Sequence, residues 1–361
     1  MNNVHRLHQN GVKLWLHISD LRDAASTQAA EWIETGIVSG MVIDPRAVRR
    51  GICQSTLLEG ELLAALGAEP DAAPHELYDM VLADVARTQA DRFGRLHRSS
   101  GGTEGFVAVD IAPDNCGNAQ EMLAEAVFLR NLIDRPNAMI RLPLTLAGTR
   151  AVEMAVGIGI PVFACLAYSQ DTLSGGLLAC SAGLARSNGS EVPCRVAFHL
   201  SKIDLAAEKA VAPDSSAYGN VGLALAQRAY ESVNGQQTEP AGRGHVAVGL
   251  VLADTRARSE LGGETLYLRH ALPPGGEALV SLQTLKAFER EERDSASGER
   301  APADPTSVLE EAARYGLDLA GLGEHLQIAE MDTLAKVYGT TLATIQHRAK
   351  EYRRVRTSAV A

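Results

Sequence analysis

Six residues with reactive or polar side chains, His17, Asp44, Asp110, Arg141, Cys165 and His199, each stand in or directly after a short apolar run. Histidine titrates near neutral pH without perturbation, so His17 and His199 are the acid–base candidates. A guanidinium stays charged and offers a fork of donors that fits a carboxylate or a developing enolate, so Arg141 is the candidate to bind or polarise an oxyanion. Asp44 or Asp110 could orient a histidine and fix its tautomer, with Cys165 in the pocket wall. His17, Asp44 or Asp110, Cys165 and His199 also have the ligand types of a divalent metal such as zinc. Their separate runs form no metal motif, however, and a central Arg141 would repel the ion. The expectation is a site without a cofactor, with zinc as the alternative. Each residue also has a purely structural reading. His17 fits a satisfied core histidine, and Cys165 a small apolar filler. Asp44 before Pro45 fits a turn starter, and Asp110 the buried partner of Arg141. Lys202 followed by Asp204 fits a surface ion pair.

The elements that must position these residues alternate in kind. Apolar runs at Lys13–His17, Val38–Ile43, Gly105–Ile111, Ala138–Leu142, Pro161–Ala167, Arg195–Ile203, His245–Leu252 and Thr265–Arg269 read as strands buried on both faces. Stretches of helical period lie between them, including Ser26–Thr35, Leu57–Gly94 broken at Pro70 and Pro74, Ala119–Ile133, Ala147–Val156, Thr172–Arg186 and Val221–Val233. Alternating strands and helices give βαβ units and a parallel sheet. The strand count is that of a closed (β/α)₈ TIM barrel, an α/β fold whose working residues sit at the C-terminal strand ends. No GxGxxG follows a first strand, which sets aside a doubly wound dinucleotide fold. The organisation expected is one domain over 1–361, with the barrel at about 12–290 and a charged Ser/Gly/Pro-rich linker at about 289–306. Extra C-terminal helices follow at about 307–353, with breaks near Gly323 and Gly339.

Lys+Arg of 34 against Asp+Glu of 44 leaves a net charge of −10, which argues against nucleic acid or an anionic membrane as the main partner. The five cysteines form no CxxC pair, so neither a disulfide framework nor a zinc ribbon is expected. Met1–Gly11 is polar and no apolar run reaches the length of a membrane span, so the expected location is cytoplasmic. The expected partner is a small-molecule carbonyl or carboxylate substrate, and a homo-oligomer stays open.

The strand-end segments LWLH (14–17), VIDP (42–45), GFVAVDIAP (105–113), RPNAMIRLPLT (135–145), GIPVFACLAYS (159–169) and RVAFHLSKID (195–204) resemble those of the transaldolases. ETLYLRHAL (264–272), TLKAF (284–288) and the terminal GLDLAGLGEHL…DTLAKVYGTTLATI region extend the resemblance over nearly the whole chain. RPNAMIRLPLT is its most specific piece, since the family carries Arg-Pro-Asn there and then Ile-Lys-Ile-Pro-Ala-Thr. The resemblance implies a class I aldolase-type barrel that transfers a three-carbon ketol unit between sugar phosphates through a Schiff base on a strand lysine, helped by Asp, Glu, Asn and Thr neighbours.

This chain departs from that pattern at almost every working position. Arg141 stands at the lysine position, His17 at the first-strand Asp, and Asp44 at the Asn before Pro. Asp110 stands at the third-strand Glu, Cys165 at the fifth-strand Thr, His199 at a Phe, and Lys202 at the phosphate-binding Arg. VAVGLVLAD (246–254) replaces the Ser/Thr-rich seventh-strand motif. A Schiff base needs a neutral amine, which arginine cannot supply. The replacements are nevertheless polar, and inward polar groups in a dry barrel are costly unless paired or hydrated. They fit a working site better than decay. The function expected is cofactor-free acid–base chemistry that makes or breaks a C–C bond or moves a proton (lyase, aldolase, isomerase or cyclase). Its substrate would be a small oxygenated carbonyl or carboxylate compound, in a specialised (secondary) pathway, bound by Arg141 and Lys202. The alternatives are an altered transaldolase or aldolase using Lys202, a metal-dependent barrel enzyme, and a non-catalytic pseudoenzyme that binds without turnover. Lys202 lies three residues after His199. On a regular strand it would face the opposite side, so it needs a bulge or a loop to enter the site.

Overall fold

The computed structural model describes residues 2–187, 191–236, 248–256, 263–291 and 304–360. Eight parallel strands close into a barrel in chain order. They are β1 (Lys13–Ile18), β2 (Val38–Ile43), β3 (Phe106–Asp110), β4 (Ala138–Pro143), β5 (Val162–Ala167), β6 (Cys194–His199), β7 (Gly249–Ala253) and β8 (Glu277–Ser281). β8 closes the ring on β1, from Lys13 opposite Glu277 to His17 opposite Ser281. The fold is a TIM barrel. Every residue of β2, β4 and β5 is buried, as their continuous apolar character requires of strands covered by helices outside and packed side chains within.

Short junctions after the strands are capped by side chains, which fixes the strand ends. Asp44 accepts from the Arg46 amide, Thr145 from Gly148, Ser169 from Thr172 and Ser281 from Thr284, each opening the next helix. Inside the barrel, Trp15 Nε1 and Arg195 Nε both donate to Glu277 Oε2, at 3.0 and 2.8 Å. Above them Trp15 meets the Phe163 ring edge-on at 5.2 Å, and the Arg141 guanidinium lies 5.8 Å from the centre of that ring. Gly40 makes room for Trp15, since a Cβ there would fall 2.4 Å from the indole. The lower barrel is therefore filled, and open space is left at the C-terminal end.

Four expectations change. Thr265–Arg269 is not the eighth strand: Leu266–His270 is a short helix whose buried Tyr267 hydroxyl donates to Asp204. The true β8 opens on the charged Glu277, which reads as loop in one dimension and is matched by Arg195 of β6, two strands away. The run Arg195–Ile203 is strand only to His199, and Ser201–Ala207 is helix. Asp204 turns inward to accept from the Gly222 amide at 2.7 Å, so it forms no surface pair with Lys202. The C-terminal region is Pro305–Arg314 followed by Leu319–Val360, unbroken at Gly323 and Gly339. Gly323 serves close approach instead: a Cβ there would meet the Tyr168 carbonyl oxygen at 3.0 Å and Ser169 Cβ at 2.9 Å. His245 and residues 292–303 of the expected linker lie outside the described residues. No helix among the described residues is long and apolar enough to cross a membrane.

Candidate active site

A cavity of about 270 Å³ opens at the C-terminal end of the barrel. His17, Asp44, Arg141, His199 and Lys202 all line it, so the structure brings five of the expected site residues together. Asp110 and Cys165 stand behind Arg141, on a second cavity of about 20 Å³ shared with Tyr78 and Tyr338, room for about one water.

His17 and Asp44 end adjacent strands and meet, His17 Nε2 to Asp44 Oδ2 at 3.1 Å. Burial alone would raise the Asp44 carboxyl, but the His17 contact and the Arg46 charge and amide outweigh it and hold the group well below the usual carboxylate range. An ionised carboxylate only accepts, so His17 Nε2 carries the hydrogen, and in the neutral imidazole Nδ1 is the nitrogen left without one. Asp44 also accepts from the Arg46 guanidinium, at 3.0 Å to Oδ2.

His199 is different. Its Nε2 faces the Leu166 amide, which donates to it at 3.4 Å, so Nδ1 carries the hydrogen. Burial, with Arg141 and Lys202 nearby, pushes its pKa down to about 3. It is a neutral imidazole that can donate. Leu166 adopts φ +65° within an irregularity of β5, a strained conformation for a branched residue. The Leu166 amide meets His199, and its carbonyl accepts from Gln327 Nε2 at 2.9 Å.

Arg141 Nη1 donates to Asp110 Oδ2 at 2.6 Å, with the side chains only 7% and 12% exposed. Burial lifts Asp110 to about 6 against the pull of Arg141. Burial also pushes the Cys165 thiol up to about 12, so it is a protonated thiol in the wall.

Lys202 enters the cavity because β6 ends at His199 and the chain turns into helix there. The Asp254 carboxylate, at the end of β7, accepts from the Lys202 amide at 3.1 Å. Lys202 Nζ lies 2.5 Å from Glu330 Oε2, and Arg46 Nη2 lies 2.6 Å from Glu330 Oε1. Glu330, on the helix Leu319–Val360, was not among the expected site residues. Nor were Arg46, Tyr168, Asp254, Thr255, Arg256 and Ser281, which also line the cavity. The strand-end rule finds Asp254, and it finds Ser281 once β8 is placed correctly. For Glu330, 284 residues from Arg46, no local signal exists. Among the described residues no group of three or more His, Cys, Asp and Glu side chains is placed to share a metal ion.

The family model described as Transaldolase/Fructose-6-phosphate aldolase matches residues 19–345. A transaldolase of Neisseria gonorrhoeae is 28% identical over 346 residues, covering 93% of this chain and 97% of its own. Transaldolase 1 of Streptomyces coelicolor is 30% identical over 301 residues, covering 79% and 78%. Transaldolase 1 of Streptomyces avermitilis is 29% identical over 304 residues, covering 80% and 79%.

Proposed function

The chain belongs to the transaldolase/fructose-6-phosphate aldolase family, and from that premise we propose that it is an enzyme of that family that works without a Schiff-base lysine. Its chemistry is cofactor-free acid–base catalysis on a small oxygenated carbonyl compound, in a specialised rather than central branch of carbohydrate metabolism. The observation that carries this reading is the His17–Asp44 pair at the cavity, where a buried carboxylate fixes the tautomer of a cavity-lining histidine.

In the proposed reaction His17 Nδ1 takes a proton from the carbon next to the substrate carbonyl. The C–H electron pair moves into the carbon–carbon bond and the carbonyl pair onto oxygen, giving an enediolate. The neutral His199 Nδ1–H and the Arg141 guanidinium stabilise that oxygen. Asp110 already matches the charge of Arg141, so Arg141 suits a developing oxyanion better than a full external carboxylate. The enediolate carbon then takes the proton back from His17, or it attacks an aldehyde to form a C–C bond, with the aldehyde carbonyl pair moving onto its oxygen and that oxygen taking the proton from His17. The Lys202 ammonium sits on Glu330 at 2.5 Å and is not the free amine a Schiff base needs. It borders the substrate as a hydrogen-bond donor.

The test is deuterium wash-in at the carbon-bound hydrogens of dihydroxyacetone, followed by NMR, beside borohydride trapping read by intact mass. Wild type is expected to exchange and to give no adduct, and His17→Ala is expected to slow exchange by about 10²–10⁴-fold. A covalent adduct on wild-type protein, or exchange unchanged in His17→Ala, would overturn the proposal.

A further inference from the structure

Glu330 fills a position that an external anion would otherwise take. Its two carboxylate oxygens accept one from the Arg46 guanidinium at 2.6 Å and one from the Lys202 ammonium at 2.5 Å. That is how two cations grip a bound carboxylate or phosphate, with the protein supplying the anion itself. The side chain of Glu330 is 12% exposed, against 27% for each cation, so it sits inside them rather than in solvent.

Its helix is pinned over the mouth. Gln327 Nε2 donates to the carbonyls of Leu144 and Leu166, both at 2.9 Å, three residues before Glu330. Gly323 seats the same helix against Tyr168 and Ser169. Glu330 therefore stands on a helix held at two points just before it and does not hang from a mobile loop.

The rest of the wall is balanced in the same way among the described residues. Arg141 is matched by Asp110, and Arg46 by Asp44 as well as Glu330. The exposed Arg256 lies 3.2 Å from Glu264. Asp254 adds a further carboxylate beside Lys202. An incoming dianion would have to displace Glu330 or lie against it, and like charges at close range in a partly desolvated site are strongly disfavoured.

We propose that Glu330 is a specificity-determining residue: by occupying the seat between Arg46 and Lys202 it excludes phosphate esters, so the site takes an uncharged, polyhydroxylated carbonyl compound. This rests on the reading above that the cavity is the substrate site, and it concerns only which substrates enter. Burial would raise the Glu330 carboxyl, but Arg46 and Lys202 outweigh it and keep the group ionised, as the exclusion requires.

Calorimetric titration of the full chain with fructose, fructose 6-phosphate and inorganic phosphate tests the proposal. Wild type is expected to bind fructose 6-phosphate no better than fructose and to show no measurable heat with phosphate. Glu330→Gln, nearly isosteric, is expected to bind fructose 6-phosphate and phosphate at least about tenfold more tightly than wild type. The gain should vanish in the Glu330→Gln/Lys202→Met double variant. Wild type binding fructose 6-phosphate about tenfold more tightly than fructose overturns the proposal, and needs no variant to fold. So does a folded Glu330→Gln with no gain in phosphate affinity. Failure here with dihydroxyacetone exchange intact removes the specificity role alone, and loss of exchange with the phosphate pattern as expected removes the chemistry alone.

Discussion

Arg141→Met is expected to destabilise the protein strongly at about pH 8 and much less at about pH 5. The Arg141–Asp110 contact is 2.6 Å between side chains 7% and 12% exposed. At an effective dielectric near 20, unit charges about 4 Å apart attract by about 4 kcal/mol. Breaking a buried pair costs about 3–5 kcal/mol, because the remaining charge loses its compensation. Methionine keeps much of the arginine stem's volume beside Phe163, so a cavity adds little. The sign of the pH effect follows from Asp110, which burial holds at about 6 even with the guanidinium present. Without Arg141 it rises further above its unfolded value near 3.9. A raised carboxyl folds best protonated, so stability is lost as pH climbs from the unfolded value through the folded one. The loss at about pH 8 should be about 3–5 kcal/mol, and at about pH 5 no more than half of that. Arg141→Met/Asp110→Leu should return to within about 1 kcal/mol of wild type. Urea unfolding of the four proteins at both pH values, followed by circular dichroism, completes the cycle. A single-variant loss below about 1 kcal/mol, or an equal loss at both pH values, would refute the reasoning by showing that Asp110 reaches water once Arg141 is gone.

Asp44→Asn keeps a helix-capping oxygen but loses the ionised acceptor that fixes the His17 tautomer, so dihydroxyacetone exchange should fall by about 10²–10⁴-fold in the NMR assay. Gly323→Ala should lower stability by about 1–3 kcal/mol, since its Cβ meets backbone at Tyr168. Gly339→Ala has nothing within 4 Å and should gain about 0.5–1 kcal/mol from helix propensity. Opposite shifts in thermal midpoint check that pair. Asp79 is raised to about 7 by burial and by Glu125 and Glu76. Its protonated form favours the fold, so wild-type stability should fall as pH rises from about 4 through about 7. Asp79→Asn should flatten that slope and gain about 1–2 kcal/mol at about pH 8, read by urea unfolding at several pH values.

Seven of the eight strands and the barrel closure they imply are legible in the chain, because strands covered on both faces must be continuously apolar and the helices between them must carry a period. Gly323 and Gly339 look alike as helix breakers in one dimension. One of them lets two backbones approach and the other meets open space, a difference only the packed neighbours create. β8 escapes for a related reason: Glu277 is tolerable in a strand only because Trp15 of the neighbouring β1 and Arg195 of β6 meet it inside the barrel. In the site, residue type places His17, Asp44, Arg141 and His199 at strand ends, where strand direction dictates that they gather. The two histidines are indistinguishable by type, and tertiary contacts separate them. Asp44 holds His17 Nε2–H and so fixes the tautomer of the neutral ring, while burial and the nearby cations keep His199 neutral and the Leu166 amide leaves its Nδ1–H to donate. Lys202 reaches the cavity because β6 yields to a helix that Asp254 and Asp204 support. Glu330 belongs wholly to the tertiary structure. Ordinary helical sequence surrounds it, and it acquires its place only when the C-terminal helix crosses the mouth and sets a carboxylate between Arg46 and Lys202. Strand pattern and residue type act locally and survive reading one residue at a time. Charge compensation and tautomer choice are properties of groups that meet only after folding.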